Sequence, residues 1–213
     1  MGTAERRERE KKKRSNDILD AAEKIFFAKG ISNATMDDVA EQAELSKGTL
    51  YLYFKSKEDL YLGINLRALK IIQEMFKNTL TEKMTGIEKT VAIGRAYYKF
   101  YQTYPDYFNA LIHFEALGID VSDGDSLALQ CMKTGSRALE ILSDSIGEGI
   151  QDGSIRPDLD PVKTAYLLWA QTNGVIQIII NKRKFIEAFE NFNPEELITE
   201  FFKLSNYALR PNA

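Results

Sequence analysis

Residues 35–60 read TMDDVAEQAELSKGTLYLYFKSKEDL, and this stretch decides the prediction of the fold. Thr35 and Asp38 have the spacing of a capping box, with Asp in place of the more usual Glu or Gln, so a helix is predicted to begin here. Ser46 is a good N-cap for a second short helix. Ser56 begins another pair with capping-box spacing, which predicts a third, longer helix. Two short helices joined by a tight turn predict a helix-turn-helix, whose second helix fits the DNA major groove.

Apolar spacing indicates which side of each short helix faces the core. In the second helix Leu50 and Phe54 are four residues apart and are predicted to anchor it. That leaves Lys47, Gly48 and Thr49 exposed in its first turn. In the preceding helix the apolar residues recur three and four apart at Met36, Val39, Ala40 and Ala43.

This segment resembles the DNA-binding motif of the TetR family of transcriptional regulators, and the resemblance covers residues 15–60. One departure is Glu44, in the turn, where the family often has Gly. A left-handed backbone there would cost Glu about 1 kcal/mol relative to Gly. The matching residues are Ile18, Ala21, Ala22, Phe26, Gly30, Thr35, Val39, Ala40, Ala43, Leu45, Ser46, Gly48, Leu50, Tyr51, Tyr53, Phe54, Ser56, Lys57, Glu58 and Leu60.

The resemblance implies an all-α fold of about nine helices, in which a three-helix helix-turn-helix domain joins a larger helical ligand-binding and dimerisation domain. The expected divisions are a basic N-terminal arm over 1–14, the helix-turn-helix domain over 15–60 and the larger domain over 61–213. The apolar periodicity, prolines and glycines predict further helices over 56–81, 86–103, 105–117, 126–150, 161–181 and 194–209, with a loop over 118–125.

Roles in DNA recognition follow from side-chain chemistry and from the resemblance. Thr35, Tyr53 and Lys57 are expected to contact phosphate. Lys47, Thr49 and Tyr51 are placed to reach base edges, and Gly48 lets the backbone approach DNA closely. The alternative for Tyr51 and Tyr53 is that they pack the small domain. The predicted DNA-binding residues are therefore Thr35, Ser46, Lys47, Gly48, Thr49, Tyr51, Tyr53 and Lys57.

The distribution of charge supports DNA binding only in part, because the formal net charge is −3. Residues 1–14 hold seven Lys or Arg against three Glu, whereas residues 15–60 hold five Lys against nine Asp or Glu. The arm is either a solvated, frayed terminus or a flexible arm that contacts phosphate or the minor groove.

Aromatic residues crowd the segment 97–108, which is the candidate ligand site. Family members of this kind enclose an apolar pocket with a few polar groups, as small-molecule sites usually do. Asn173, polar within an apolar helix, is the group expected to face such a pocket. The alternative is that these aromatics are ordinary core. The predicted ligand-binding residues are Phe100, Tyr101, Tyr104, Phe108, Leu111, Met132, Trp169 and Asn173.

The last two helices are predicted to form a homodimer. The helix over 161–181 is apolar nearly all round, so one face can meet its own domain and another face a partner. In the family these helices pair with their symmetry mates in a four-helix bundle, which implies a near-palindromic operator. The predicted dimer residues are Trp169, Ile176, Ile179, Leu197, Phe201 and Leu204.

Composition excludes several other classes of protein. One Cys and one His cannot supply a disulfide or a metal cluster of those residue types, so no cofactor or metal is expected. Residues 164–181 carry no charge, but polar side chains in the middle argue against a membrane span. No catalytic motif is present, and the N-terminus lacks the apolar core of a signal peptide, so a cytoplasmic non-enzyme is predicted.

The sequence therefore predicts a homodimeric, ligand-responsive DNA-binding transcriptional regulator. A repressor is expected, released from double-stranded operator DNA by a small apolar or aromatic effector. The alternative is a DNA-bound structural or interaction protein that a protein partner regulates. A void among the aromatic residues would favour the first interpretation, and a filled core would favour the second.

Overall fold

The computed structural model describes residues 2–116 and 126–211. Over these ranges the chain forms nine α-helices, one π-helical turn and no β-strand, which confirms the all-α prediction. The predicted loop over 118–125 lies outside the described residues. The helices are α1 (Thr3–Lys29), α2 (Met36–Gln42), α3 (Lys47–Tyr51), α4 (Lys57–Thr79), α5 (Gly86–Thr103), α6 (Pro105–Ala116), α7 (Leu127–Gln151), α8 (Pro161–Phe185) and α9 (Glu196–Leu209), with the π-helical turn at Ile186–Glu190.

The basic N-terminal segment is helical, which differs from the expected frayed or flexible arm. Helix α1 begins at Thr3 and continues without a break to Lys29. The segment is rich in Glu, Lys and Arg, which are good helix formers. An ion pair four residues apart, between Arg6 Nε and Glu10 Oε1 at 2.8 Å, adds a small stabilisation. The basic side chains of residues 6–14 therefore project from a rod.

One compact unit contains α1, α2, α3, the first half of α4, α6 and the first turns of α7. Helix α2 contacts both α1 and α3. The predicted anchors Leu50 and Phe54 are buried, so the orientation of α3 follows the apolar spacing of the sequence. The core of this unit includes Ile18, Ala22, Phe26, Val39, Leu50, Phe54, Leu60, Ile64 and Ala110.

A second compact unit contains the second half of α4, α5, most of α7, α8, the π-helical turn and α9. Helix α5 contacts both α8 and α9, and α8 contacts α9. The beginning of α5 lies directly on α7, since a Cβ added at Gly86 would lie 2.0 Å from the backbone nitrogen of Gly149. Only glycine allows that approach.

Candidate functional site

Helix α2 begins with the predicted reciprocal capping box. Thr35 Oγ1 accepts a hydrogen bond from the Asp38 N–H at 3.1 Å, and Asp38 Oδ2 accepts from the Thr35 N–H at 2.9 Å. Lys29 Nζ donates to Asp38 Oδ1 at 2.8 Å. The Lys29 hydrogen bond, followed by those from Thr35, lowers the pKa of Asp38 from 3.8 to about 2. Asp38 thus joins α1 to the start of α2.

The turn and the caps around α3 also follow the sequence. Ser46 Oγ accepts from the Thr49 N–H at 3.2 Å, as an N-cap should. Glu44 has a φ of 55°, so the turn does require the left-handed conformation that Gly would adopt at lower cost. Ser56 Oγ accepts from the Asp59 N–H at 3.1 Å, but the Asp59 carboxylate accepts from the Lys55 N–H instead of closing the box.

The first turn of α3 is exposed at the surface of the first compact unit. Lys47 and Gly48 are exposed, Thr49 is half-buried and Leu50 is fully buried beneath them. Tyr51 is 49% exposed, which leaves its ring available to a partner. Tyr53 is half-buried: part of its side chain packs against the core, and part remains accessible in a surface groove.

Both lysines among the predicted contact residues hold partners within the chain. Lys47 Nζ forms an exposed ion pair with Asp37 Oδ2 at 2.6 Å, and the hydrogen bond that it donates to that carboxylate raises the pKa of Lys47. Lys57 is half-buried, and its Nζ donates to the Ala34 carbonyl at 3.2 Å. Lys57 therefore ties the loop before α2 to the start of α4, a structural role that the sequence did not reveal.

The helical N-terminal segment forms a basic groove with Tyr53. Its cavity volume is about 740 Å³. The groove is lined by four cationic side chains and two carboxylates, so its net charge is positive. It lies beside Tyr53, which follows α3 in the chain. The sequence did not predict it, because an irregular arm has no defined face. The groove is lined by Arg7, Glu10, Lys11, Lys13, Arg14, Asp17 and Tyr53.

A charged junction connects α6 to α1 and α4. Tyr107 on α6 donates its hydroxyl to Glu23 Oε1 on α1 at 2.7 Å. Arg67 on α4 donates to the same oxygen at 2.7 Å and to Asp20 Oδ1 at 2.7 Å. Burial, followed by the Glu23 hydrogen bond, raises the pKa of the Tyr107 hydroxyl. No spacing in the sequence relates these residues, which lie up to 84 positions apart.

Helix α4 is also held directly to α6 and α7. The Tyr61 hydroxyl donates to the Ala110 carbonyl at 2.5 Å, and Cys131 Sγ donates to the Leu62 carbonyl at 3.3 Å. Burial raises the pKa of Tyr61 to about 12. The helix that follows the DNA-binding motif therefore cannot shift without disturbing α6.

The predicted ligand residues divide between the two compact units. In the first unit Phe108 and Leu111 on α6 are buried, and Met132 is 49% exposed. In the second unit Phe100 is fully buried and Tyr104 is 37% exposed, while Tyr101 and Trp169 are half-buried.

The amide of Asn173, expected to face a pocket, has a partner within the chain. Asn173 is buried, and its Oδ1 accepts from the Tyr97 hydroxyl at 2.8 Å. Tyr97 also stacks on Phe100, with ring centroids 6.3 Å apart and an interplanar angle of 10°. This part of the aromatic segment is thus packed as core.

The predicted dimer residues need one correction. Ile176 and Ile179 are fully buried within the single chain, so no partner could reach them. Helix α8 is apolar nearly all round, and the sequence alone could not choose its inner face. Leu204 is 69% exposed, while Trp169, Leu197 and Phe201 are half-buried. The large apolar side chains that α8 and α9 do expose are Val162, Tyr166, Leu167, Ile178, Phe185, Leu204 and Tyr207.

Within residues 2–116 and 126–211, no helix combines the length and apolar character needed to span a bilayer. Nor do the described His, Cys, Asp and Glu residues form a group of three or more that could hold a metal ion.

Comparison with known proteins agrees with the helix-turn-helix geometry. Residues 18–64 match the family model described as bacterial regulatory proteins, tetR family. The fatty acid metabolism regulator protein of Bacillus subtilis is 27% identical over 178 residues, which cover 83% of this chain and 89% of that protein.

Two solved structures show the same fold. The transcriptional regulator FadR of Bacillus subtilis in complex with stearoyl-CoA gives a TM-score of 0.68 at 20% identity, over 91% of this chain and 98% of that chain. AibR in complex with isovaleryl coenzyme A and operator DNA gives a TM-score of 0.65 at 17% identity, over 90% of this chain and 97% of that chain. Residues 18–64 thus match the family of bacterial tetR regulatory proteins, and most of the chain is similar to bacterial transcriptional regulators.

Proposed function

We propose that this regulator is a homodimeric repressor that leaves a near-palindromic operator when a fatty acyl-CoA thioester binds. The observation that carries the DNA part is the exposed first turn of α3, anchored from beneath by the fully buried Leu50. The packed core around Tyr97, Phe100 and Asn173 favours the alternative of a protein partner at these residues. The effector class is supported instead by relatives whose names record fatty acid metabolism, stearoyl-CoA and isovaleryl coenzyme A. An acyl chain also satisfies the expectation of an apolar effector.

On DNA, Lys47 exchanges its carboxylate partner for the duplex. The Lys47 and Asp37 side chains of this ion pair are 64% and 60% exposed, so breaking the pair costs little free energy. Thr49 and Tyr51 accompany Lys47 toward base edges, and Gly48 permits close approach. Thr35, Ser46, Tyr53 and Lys57 act at the phosphate backbone, Lys57 from a position fixed by the Ala34 carbonyl.

The basic groove of α1 supplies further phosphate contacts. Lys11 and Arg14 line it together with Tyr53, whereas Lys12 does not. Replacing Lys11 and Arg14 by Ala should reduce the slope of log K against log salt by about 2, since each lost phosphate contact is worth about 1. Replacing Lys12 by Ala is the matched control and should leave the slope unchanged. Equal slopes for all three proteins would remove the groove from the interface.

A partner subunit would cover the exposed apolar face of α8 and α9. Two-fold symmetry then places two α3 helices one DNA turn apart and makes the operator near-palindromic. Leu204 and Tyr207 on α9 are 69% and 84% exposed in the single chain, so both side chains are accessible to a partner.

Effector and DNA communicate through α6. The predicted ligand residues Phe108 and Leu111 lie on the same helix as Tyr107, whose hydroxyl reaches Glu23 on α1. An effector that favours a different position of α6 strains this junction and the Tyr61 bond to Ala110. Effector binding and operator binding then weaken each other by the same coupling free energy, because linkage is reciprocal.

The test begins with selection of bound sequences from random DNA, followed by fluorescence anisotropy on the selected operator. Lys47→Ala should weaken operator binding by about 1–3 kcal/mol and relax the preference at one base pair. Lys24→Ala, an exposed cation on α1, is the control. Loss of equal size on operator and random DNA would show that Lys47 contacts phosphate only.

The effector arm uses the same anisotropy signal. Stearoyl-CoA should release the operator, while coenzyme A without an acyl chain should not. Operator DNA should weaken stearoyl-CoA binding by the same factor, because linkage is reciprocal. An operator affinity that no acyl-CoA alters would refute the effector proposal and leave DNA binding intact.

A further inference from the structure

The second compact unit contains a groove that none of the predicted ligand residues lines. It runs along α5, with the end of α4 and the end of α9 as its other walls, and has a cavity volume of about 850 Å³. That volume lies within the range of small-molecule sites. The lining residues are Met75, Asn78, Thr79, Met84, Ile87, Glu88, Val91, Ala92, Arg95, Ala96, Lys99, Asn206 and Arg210.

The floor of the groove is apolar and elongated. Ile87 and Lys99 mark its extent along α5, and twelve residues of helix span about 18 Å. Two methionines, Met75 and Met84, contribute flexible side chains that adapt to the shape of a bound chain. The floor therefore fits a long, unbranched apolar ligand.

The polar part of the lining consists mostly of donors. Arg95 and Lys99 are four residues apart on one exposed face of α5, and Arg210 follows the end of α9. None of these three cations forms an ion pair with a residue in the described ranges. The one anion, Glu88, already accepts hydrogen bonds from the Thr85 N–H at 2.9 Å and from the Thr85 hydroxyl at 3.0 Å.

We propose that this groove binds an anionic amphiphile, an apolar chain that ends in a carboxylate or a phosphate. The chain lies on the apolar floor, and the headgroup accepts charge-assisted hydrogen bonds from Arg95 and Lys99. Asn78 and Asn206 add neutral donors along the walls. The site is separate from the residues assigned to the acyl-CoA effector and does not depend on that assignment.

The test is calorimetric titration of the full-length protein below the micelle concentration of each probe. The probes share a dodecyl chain and differ in headgroup: dodecanoate, dodecyl phosphate, dodecanol and dodecyltrimethylammonium. Dodecanoate, dodecyl phosphate or both should bind, and the difference between them identifies the preferred headgroup. Binding of dodecanol or of the ammonium as tight as that of both anions would overturn the proposal.

Two variants test whether the anion binds in this groove, and a third variant is the control. Replacing Arg95 and Lys99 together by Ala should weaken anion binding on the order of tenfold or more. Replacing Lys133 and Arg137 by Ala removes the same charge at the same spacing on α7 and should change nothing. Ala92→Trp fills the floor of the groove and should abolish binding of the dodecyl chain of each probe.

Operator affinity and thermal unfolding, measured in parallel, confirm that each variant is folded. Anion affinity that survives both the Arg95/Lys99 replacement and Ala92→Trp in folded protein would refute the groove as the site. Loss of anion binding with acyl-CoA release of the operator intact would support the groove independently of the effector proposal.

Discussion

Tyr107→Phe removes a single hydroxyl from the junction that joins α6 to the DNA-binding helices. The hydroxyl donates to Glu23 Oε1 at 2.7 Å, and Arg67 donates to the same oxygen. The Glu23 and Arg67 side chains are only 17% and 22% exposed, so water replaces the lost bond poorly. The substitution keeps the ring and its edge contact with Phe27, whose centroid is 5.5 Å away.

The expected loss of unfolding free energy follows from the charge on the acceptor. A hydrogen bond to a charged group contributes about 1.5–3 kcal/mol. Because Glu23 keeps its bond from Arg67, we expect the lower end, about 1.5 kcal/mol. In a protein of this size that corresponds to a fall of about 3–6 °C in Tm.

The assay is urea unfolding at neutral pH, with Ser136→Ala as control. Ser136 is an exposed hydroxyl on α7, and its replacement should change stability by less than about 0.5 kcal/mol. A double-mutant cycle with Glu23→Gln should give a coupling energy of about 1 kcal/mol between the two positions.

The raised pKa of Tyr107 adds a second check. The Tyr107 hydroxyl makes its full contribution to the free energy of unfolding below about pH 10, the pKa of tyrosine in the unfolded chain. Its contribution falls progressively as the pH rises beyond that value. The difference between wild type and Tyr107→Phe should therefore shrink in alkali. A difference within error at neutral pH, or no coupling to Glu23, would refute the assigned role of the junction.

Three further outcomes are expected. Glu44→Gly should raise stability in urea by up to about 1 kcal/mol, since φ is 55° at this position, and an unchanged midpoint would contradict the assigned strain. The pKa of Asp38 falls from 3.8 to about 2 on folding. Its contribution to stability is therefore complete above pH 3.8 and is lost as the pH falls toward 2. Asp38→Asn should flatten the acid limb of stability against pH, and superimposable limbs would disprove the link. Leu204→Glu, at a side chain 69% exposed, should convert the proposed dimer to a folded monomer in light scattering, whereas Ile179→Glu, at a fully buried position, should unfold the chain. A Leu204→Glu dimer would place the interface elsewhere.

Local chemistry let the sequence predict the helix-turn-helix in detail. Capping at Thr35 and Ser46 involves residues three apart, and the left-handed turn at Glu44 is a property of one residue. The burial of Leu50 and Phe54 followed from their spacing. Each of these interactions joins neighbours in the chain, so the order of residues already contains it.

Tertiary structure alone decided the features that join distant residues. The junction of Tyr107 with Glu23, the bond of Lys57 to Ala34 and the groove beside α5 depend on how helices meet, which no local spacing records. Helix α8 is the clearest case, because a helix apolar on every side has no periodicity to show which face turns inward. The sequence thus determined where the helices after α1 begin and which motif they form, and only packing determined which apolar faces remain for a partner.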